Sequence, residues 1–292
     1  MKNTIKPDWI RGRLSVGDST DHLSDVLERL SLNSVCVEAD CPNRGECWEK
    51  AHVTFLLLGD VCTRKCLFCN VKKHKPLPPD DLEPERIAEA VKELDIKYLV
   101  LTSVTRDDLK DKGVLHYSRT VESVKKRMPE VAIELLIPDL NADERLVEEI
   151  SKLSVNVIGH NIEIPRSLYP KVRSGSDYDR SLKTLKLLNA CRVKSRRYIT
   201  KSSIMLGLGE KRVEIIETFD DLRTCSVDIV YMGQYLSPSK EHWPVEKYYT
   251  PDEFRELKNE AISMGFKTVY SDPMVRSSYR AKEAYMEACR KQ

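Results

Sequence analysis

The chain has 292 residues, of which 41% are hydrophobic and 32% charged, and a formal net charge of +2. That length builds one large domain or two ordinary ones around a substantial core, and the composition is that of a soluble globular protein. The small net charge excludes a bulk electrostatic case for nucleic acid or an acidic membrane; no apolar run approaches the ~18 residues that span a bilayer, and the N-terminal MKNTIKPDWIRGRLSVGD has no secretory apolar stretch, so a cytoplasmic location is expected.

In chain order, residues 1–52 show helical spacing at Leu23, Val26, Leu27 and Leu30, followed by Cys36, Cys41 and Cys47 in CVEADCPNRGEC. The apolar run VTFLLLG predicts a strand over 53–58, and directly after it come Cys62, Cys66 and Cys69 in CTRKCLFC. Further strands are predicted over 97–101, 131–136, 155–158, 202–206 and 229–235, separated by helical patterns over 85–94, 117–127, 143–153, 178–188 and 213–222. Such alternation implies a parallel sheet with helices outside. Six βα units are too few to close an eight-stranded barrel. The expected fold is therefore α/β, a partial (β/α)6 barrel of the TIM type over 53–265, with an N-terminal extension over 1–52 and a C-terminal extension over 266–292. KKHKPLPPDD, over 72–81, reads as a rigid surface connection.

In βα barrels the working groups lie at the C-terminal ends of the strands. The second cysteine triplet sits in such a loop, and the polar segments 102–108, 160–166 and 234–239 follow strands two, four and six. Six of the nine cysteines fall within 34 residues. In a cytosolic protein clustered cysteines read as metal-binding or catalytic, and an odd total argues against a disulfide framework. Each triplet is one short of the four thiolates that close an iron–sulfur cluster or a structural zinc site. Two incomplete sets predict two metal centres, each with a position left for something other than cysteine; zinc and iron–sulfur both remain open on the number of thiolates. Cys191, Cys225 and Cys289 match no ligand spacing and read as incidental thiols. RVKSRR, over 192–197, reads as a solvated basic face.

CxxxCxxC with an aromatic at Phe68 resembles the radical S-adenosylmethionine (SAM) superfamily. The resemblance implies that Cys62, Cys66 and Cys69 hold a [4Fe–4S] cluster whose open iron is chelated by the amino and carboxylate groups of SAM. One electron then cleaves SAM to a 5′-deoxyadenosyl radical that abstracts hydrogen from unactivated carbon. Phe68 would lie near the adenine. The rarer CxxxxCxxxxxC of the first triplet, with Arg276, Ser277, Ser278 and Tyr279, resembles the lipoyl synthases over nearly the whole chain. This implies a second, auxiliary [4Fe–4S] cluster on Cys36, Cys41 and Cys47, with Ser278 as its fourth ligand. It also implies insertion of two sulfur atoms at C6 and C8 of a protein-bound octanoyl-lysine, with the auxiliary cluster as sulfur donor. Serine is a hard, weak ligand for iron beside thiolate, which suits a cluster that must be dismantled. Without the family, a Ser-Ser pair there reads as a turn or helix cap.

The same resemblance assigns Thr102 and Ser103 to the methionine end of SAM, with Arg106 and Asp107 shaping that pocket. Asn161 and Glu163 fall to its ribose or amino group, Arg173 to its carboxylate, and Gln234 and Tyr235 to the barrel rim. Ser203 stands where the family more often has glycine, and Trp243 where leucine is usual. The implied partners are an octanoylated lipoyl carrier domain or glycine cleavage H protein, an electron donor of ferredoxin or flavodoxin type, and an iron–sulfur carrier that rebuilds the auxiliary cluster. Neither nucleic acid nor membrane is implied. Two other readings compete. Another radical SAM sulfur inserter would lack the first triplet or spread its extra cysteines over a separate N-terminal domain. A non-catalytic protein that binds zinc or stores clusters would need none of the rim motifs.

Overall fold

Short aliphatic and β-branched runs form seven strands in the computed structural model, which describes residues 5–10, 18–195 and 198–291. The strands are β1 (Thr54–Leu57), β2 (Tyr98–Ser103), β3 (Ala132–Leu136), β4 (Val157–Gly159), β5 (Ile199–Leu206), β6 (Ile229–Gln234) and β7 (Thr268–Ser271). They make one sheet in sequence order, parallel at every step. Three helices precede the sheet: α1 (Asp18–Arg29), α2 (Val35–Glu38) and α3 (Arg44–Glu49). The crossovers carry α4 (Glu83–Glu93), α5 (Val114–Arg127), α6 (Glu144–Ser151), α7 (Tyr169–Val172), α8 (Tyr178–Ser195), α9 (Arg212–Thr224) and α10 (Pro251–Ser263), and α11 (Ala281–Arg290) follows β7. Among the described residues no helix is long and apolar enough to cross a membrane.

Successive residues of a strand point to opposite faces of the sheet, and the two faces have different fates here. Phe55, Leu57, Leu99, Leu101, Ile133 and Ile158 are fully or almost fully buried in the main core with the surrounding helices. The other face, set by the register Thr54–Val100–Glu134–Val157–Ile199, lines a bore. Small side chains let α11 lie directly on it: Ala281 packs with Tyr98 and Val100, while Ala284 and Ala288 pack with Val157, Ile199, Ile229 and Tyr231. These strand residues cluster toward the N-terminal ends, so α11 closes that end of the bore and leaves the other open. Just above the helix, Lys201 Nζ lies 2.6 Å from Glu134 Oε1 and 4.1 Å from the Tyr231 ring centroid. Tyr98 donates to the same carboxylate at 2.8 Å. Burial pushes the Lys201 ammonium below its usual range.

The expected α/β partial barrel is present, with one strand more than the six predicted. β7 is only four residues long and pairs with β6 at the start of the segment read as a C-terminal extension. β2 runs on through Ser103, so Thr102 and Ser103 end a strand instead of beginning a loop. The outer edge of β1 is not left bare: Leu56 N–H donates to Asn33 C=O at 2.9 Å, and Ser34 bridges Phe55, which removes an exposed sheet edge. Arg192 departs from the solvated-face reading. Its guanidinium pairs with Asp228 and donates to Asn189 Oδ1 and the Ser226 carbonyl, whereas Val193 and Lys194 are exposed and Arg196 and Arg197 lie outside the described residues.

Candidate functional site

β1 is followed by two left-handed residues, Leu58 (φ 68°) and Gly59 (φ 87°), which swing the chain into the second cysteine loop. Leucine is unusual in that conformation, and three contacts hold it. Glu83 Oε2 accepts from Leu58 N–H at 2.9 Å and lies 2.5 Å from His116 Nε2, both side chains being buried. The Leu58 side chain fills the space a Cβ would need at Gly113. Further along, Cys62 N–H donates to Lys72 C=O at 2.8 Å, closing the loop on itself. Leu67 N–H reaches Val172 C=O at 2.8 Å and Trp243 N–H reaches Leu67 C=O at 2.9 Å, so the loop is stitched to two others. Trp243 also donates its indole N–H to Leu208 C=O at 2.9 Å, and the Tyr235 hydroxyl donates to the Trp243 carbonyl at 2.7 Å.

Arg64, between Cys62 and Cys66, escaped the sequence reading. Its guanidinium binds Asp107 at 2.8 and 3.1 Å and Asp139 twice at 2.7 Å. Asp139 is fully buried and also accepts from Arg180 Nε at 2.9 Å. Arg64 holds this carboxyl well below the usual carboxylate range against the opposing effect of burial. One buried arginine thus clamps the cysteine loop to the ends of β2 and β3. Arg106 acts nearby as a brace, bound to Asp108 at 2.8 to 3.2 Å.

Along the rim, Thr102 Oγ1 donates to Leu136 C=O at 3.0 Å, and Ser103 lies beside the Tyr117 phenol. His160 Nδ1 donates to Ile137 C=O at 3.0 Å; burial, reinforced by Arg173, lowers its pKa to about 4. Asn161 Nδ2 donates to Glu163 Oε1 at 3.0 Å. Glu163 adopts a left-handed φ of 66°, and burial raises its carboxyl pKa. Arg173 Nη1 donates to the Asn161 and Ile162 carbonyls and the Tyr169 hydroxyl. Three buried polar atoms in this segment lack any hydrogen-bond partner: His160 Nε2, Asn161 Oδ1 and Arg173 Nε. An unsatisfied buried polar group costs about 1–3 kcal/mol, so three together fit a ligand rich in polar groups, as the amino acid and ribose parts of SAM are. Gln234 faces elsewhere. Its amide donates to the Tyr235 and Lys247 carbonyls and accepts from Tyr249 N–H, which saturates it within the loop that follows β6.

The first triplet lies beside the edge of β1. Ser34 caps α2, which carries Cys36; Cys41 N–H returns to Cys36 C=O at 3.1 Å; and Cys47 sits in α3. Residues 273–280 close over them. Asn43 Nδ2 donates to Met274 C=O at 2.6 Å, the Tyr279 hydroxyl donates to Glu46 at 3.2 Å, and Thr54 Oγ1 donates to Ser278 Oγ at 2.9 Å. Gly233 permits this: a Cβ there would collide with the Val275 carbonyl. Cys36, Cys41, Cys47, Ser278, Thr54 and Arg276 all line one cavity of about 30 Å³. Thr54, Asn43 and Gly233 gave no signal in the sequence, because each acts on a residue more than 40 positions away.

All nine cysteines are free thiols. Burial, with neighbouring cysteines adding to it, pushes the pKa of Cys47 up to about 12 and that of Cys36 upward. In the second triplet burial pushes Cys69 up to about 12 and Cys66 upward. Any metal bound here must displace those protons. Among the described residues no three His, Cys, Asp or Glu side chains gather about a single ion position. A four-iron cluster asks for no such convergence, since it offers a separate iron to each ligand. Hard serine beside three soft thiolates is a mixed donor set that suits iron with one labile corner.

Comparison with known proteins agrees with this geometry. The Radical SAM superfamily model matches residues 56–222. The lipoyl synthase of Caldicellulosiruptor saccharolyticus is 50% identical over 97% of this chain and 98% of its own length, and that of Chlorobium limicola is 47% identical over 95% and 94%. Among solved structures, the hydrogenase maturase HydG from Carboxydothermus hydrogenoformans superposes with a TM-score of 0.56 at 14% identity, covering 80% of this chain and 65% of HydG. Methylornithine synthase gives 0.54 at 17%, covering 71% and 60%; these two likenesses concern the fold alone. Near-full-length identity, the superfamily match and the meeting of two cysteine triplets with a distant serine lead to one conclusion: the chain belongs to the lipoyl synthase family of radical SAM enzymes.

Proposed function

We propose that this chain inserts two sulfur atoms, at C6 and C8, into a protein-bound octanoyl-lysine, and that an auxiliary [4Fe–4S] cluster is the source of both. The observation that carries the reading is the meeting of Ser278 with Cys36, Cys41 and Cys47 in one cavity, beside the strand that feeds the second triplet. Cys62, Cys66 and Cys69 hold the radical SAM cluster and leave one iron for the amino and carboxylate groups of SAM. When bound, cluster and SAM together supply a 5′-deoxyadenosyl radical able to take hydrogen from an unactivated methylene. Phe68 backs the adenine, Thr102 and Ser103 bound the methionine end, Asn161 and Glu163 take the ribose or amino group, and Arg173 pairs with the carboxylate. Gln234 contributes by fixing the loop behind that pocket. Cys36, Cys41, Cys47 and Ser278 hold the auxiliary cluster between residues 1–52 and 266–292, outside the barrel proper. α11, lying over the N-terminal end of the bore, keeps water from entering on that side.

The carrier is an octanoylated lipoyl domain or a glycine cleavage H protein. A ferredoxin- or flavodoxin-type donor supplies electrons, an iron–sulfur carrier restores the auxiliary cluster, and the enzyme works in the cytoplasm. The test is anaerobic reconstitution, expected to give two [4Fe–4S] clusters and hence ~8 irons per chain. Incubation with SAM, a reductant and an octanoyl-lysine peptide follows. Mass spectrometry should show the peptide gaining two sulfur atoms. Stoichiometric zinc without labile sulfide, or SAM cleavage with no sulfur gained by the peptide, would overturn the reading.

A further inference from the structure

We propose that Thr54 is the positioning residue that seats Ser278 for iron at the auxiliary site, an inference that rests on Ser278 being a ligand there. Thr54 opens β1, is 4% exposed and faces the bore opposite Val100. Its hydroxyl donates to Ser278 Oγ at 2.9 Å, across 224 residues of sequence. Thr54 and Cys36 line the same small cavity as Ser278, so this one residue stands between donors from both ends of the chain.

Ser278 needs such help. It lies in a turn between β7 and α11, where Tyr279 N–H returns to Arg276 C=O at 2.9 Å, and no helix or strand fixes its side chain. Among the described residues Ser278 Oγ has no other hydrogen-bond partner. A serine side chain has three staggered positions open to it, and the Thr54 contact selects the one that faces the cysteines. Threonine suits the task better than serine because its branched Cβ makes its own χ1 stiff. A hydrogen bond into Ser278 Oγ uses one lone pair and leaves another for iron, so it holds the oxygen in place with or without metal.

The experiment uses the full chain with Cys62, Cys66 and Cys69 replaced by alanine, so that only the auxiliary cluster reports. Reconstituted protein is challenged with a chelator under mild oxidation, and the three-iron cluster is followed by its electron paramagnetic resonance signal together with iron released. Thr54→Val keeps the shape of the side chain but deletes the hydroxyl. It should lose its fourth iron about 5-fold faster, the worth of one hydrogen bond. Thr54→Ser should stay within about 2-fold of the parent. Equal rates for parent and Thr54→Val overturn the inference and leave the sulfur-insertion reading standing. Equal acceleration in Thr54→Val and Thr54→Ser also overturns it, since the hydroxyl would not be the cause. A parent chain that assembles no four-iron cluster on Cys36, Cys41 and Cys47 removes the ligand set itself, and the inference with it.

Discussion

Gly233→Ala isolates the close approach that presents Ser278. Gly233 lies on the bore face of β6 in ordinary extended conformation, so alanine costs nothing in backbone strain there and the effect is purely steric. The new Cβ would fall on the Val275 carbonyl oxygen, 3.0 Å from its carbonyl carbon and 3.3 Å from Arg276 Nη1. The oxygen belongs to backbone and cannot rotate away. Restoring contacts of ~3.5 Å requires the 275–278 turn and β6 to separate by roughly 1.5 Å. Overpacking of this kind costs about 1–3 kcal/mol, or a fall in Tm of about 2–10 °C in a chain of this size. Displacement of a reacting group by ~1 Å costs on the order of 10²-fold in rate, so sulfur insertion should fall far more than stability does. The assay pairs thermal melts with mass spectrometry of the octanoyl-lysine peptide, and counts deoxyadenosine to show that the second triplet still works. A Gly233→Ala enzyme that melts lower yet inserts sulfur at the parental rate would refute the idea that this contact places Ser278.

Three further outcomes are expected. Cys66→Ala abolishes deoxyadenosine formation, whereas Ser278→Ala lowers sulfur insertion at least 10²-fold and SAM cleavage far less; parallel loss of both products in Ser278→Ala would count against separate roles for the two sites. Lys201→Met strands Glu134 in the bore, which costs about 3–5 kcal/mol, and adding Glu134→Leu recovers most of that loss in urea melts; equal stability of the single and double variants would remove the ion pair as the cause. His160 has a folded pKa near 4 against an ordinary 6.5. The unfolded chain therefore binds the proton first, stability is intact above pH 6.5, and about 3 kcal/mol is lost as pH falls toward 4. His160→Gln should flatten that part of the profile in apo protein, and an unchanged slope would assign the acid sensitivity to another group.

The strands and the two cysteine loops were legible because their signals are local. An apolar run such as VTFLLLG or a thiol spacing is complete within a dozen residues. β7 was missed because Thr268–Ser271 is too short to show a period. The Arg64–Asp139 clamp joins residues 75 apart, and either charge alone reads as a solvated loop residue. Gly233 lies within the predicted strand 229–235 and carried no signal of its own, since only the register of β6 against the 273–276 backbone shows why a side chain is forbidden there. Gln234 shows the reverse limit. The family resemblance put it at the rim, where the end of β6 lies, but the direction of its amide depends on a loop that closes 13 residues later. Ser278 became visible only through a family pattern, because nothing local distinguishes a serine that meets cysteines from one that caps a turn.

The order of synthesis gives the wide separation of Thr54 and Ser278 a temporal meaning. At ~5–20 residues per second, the 224 residues between them take ~10–45 s to emerge from a ribosome. Both cysteine triplets are made before or early in that interval, while the pocket of the first still lacks Ser278 and the bore lacks α11. The pocket of the first triplet is therefore completed only after all seven strands that support it have been made. The strand pairings from β1 to β7 end at Ser271, so the segment that walls the pocket of the first triplet lies outside the ladder that supports it.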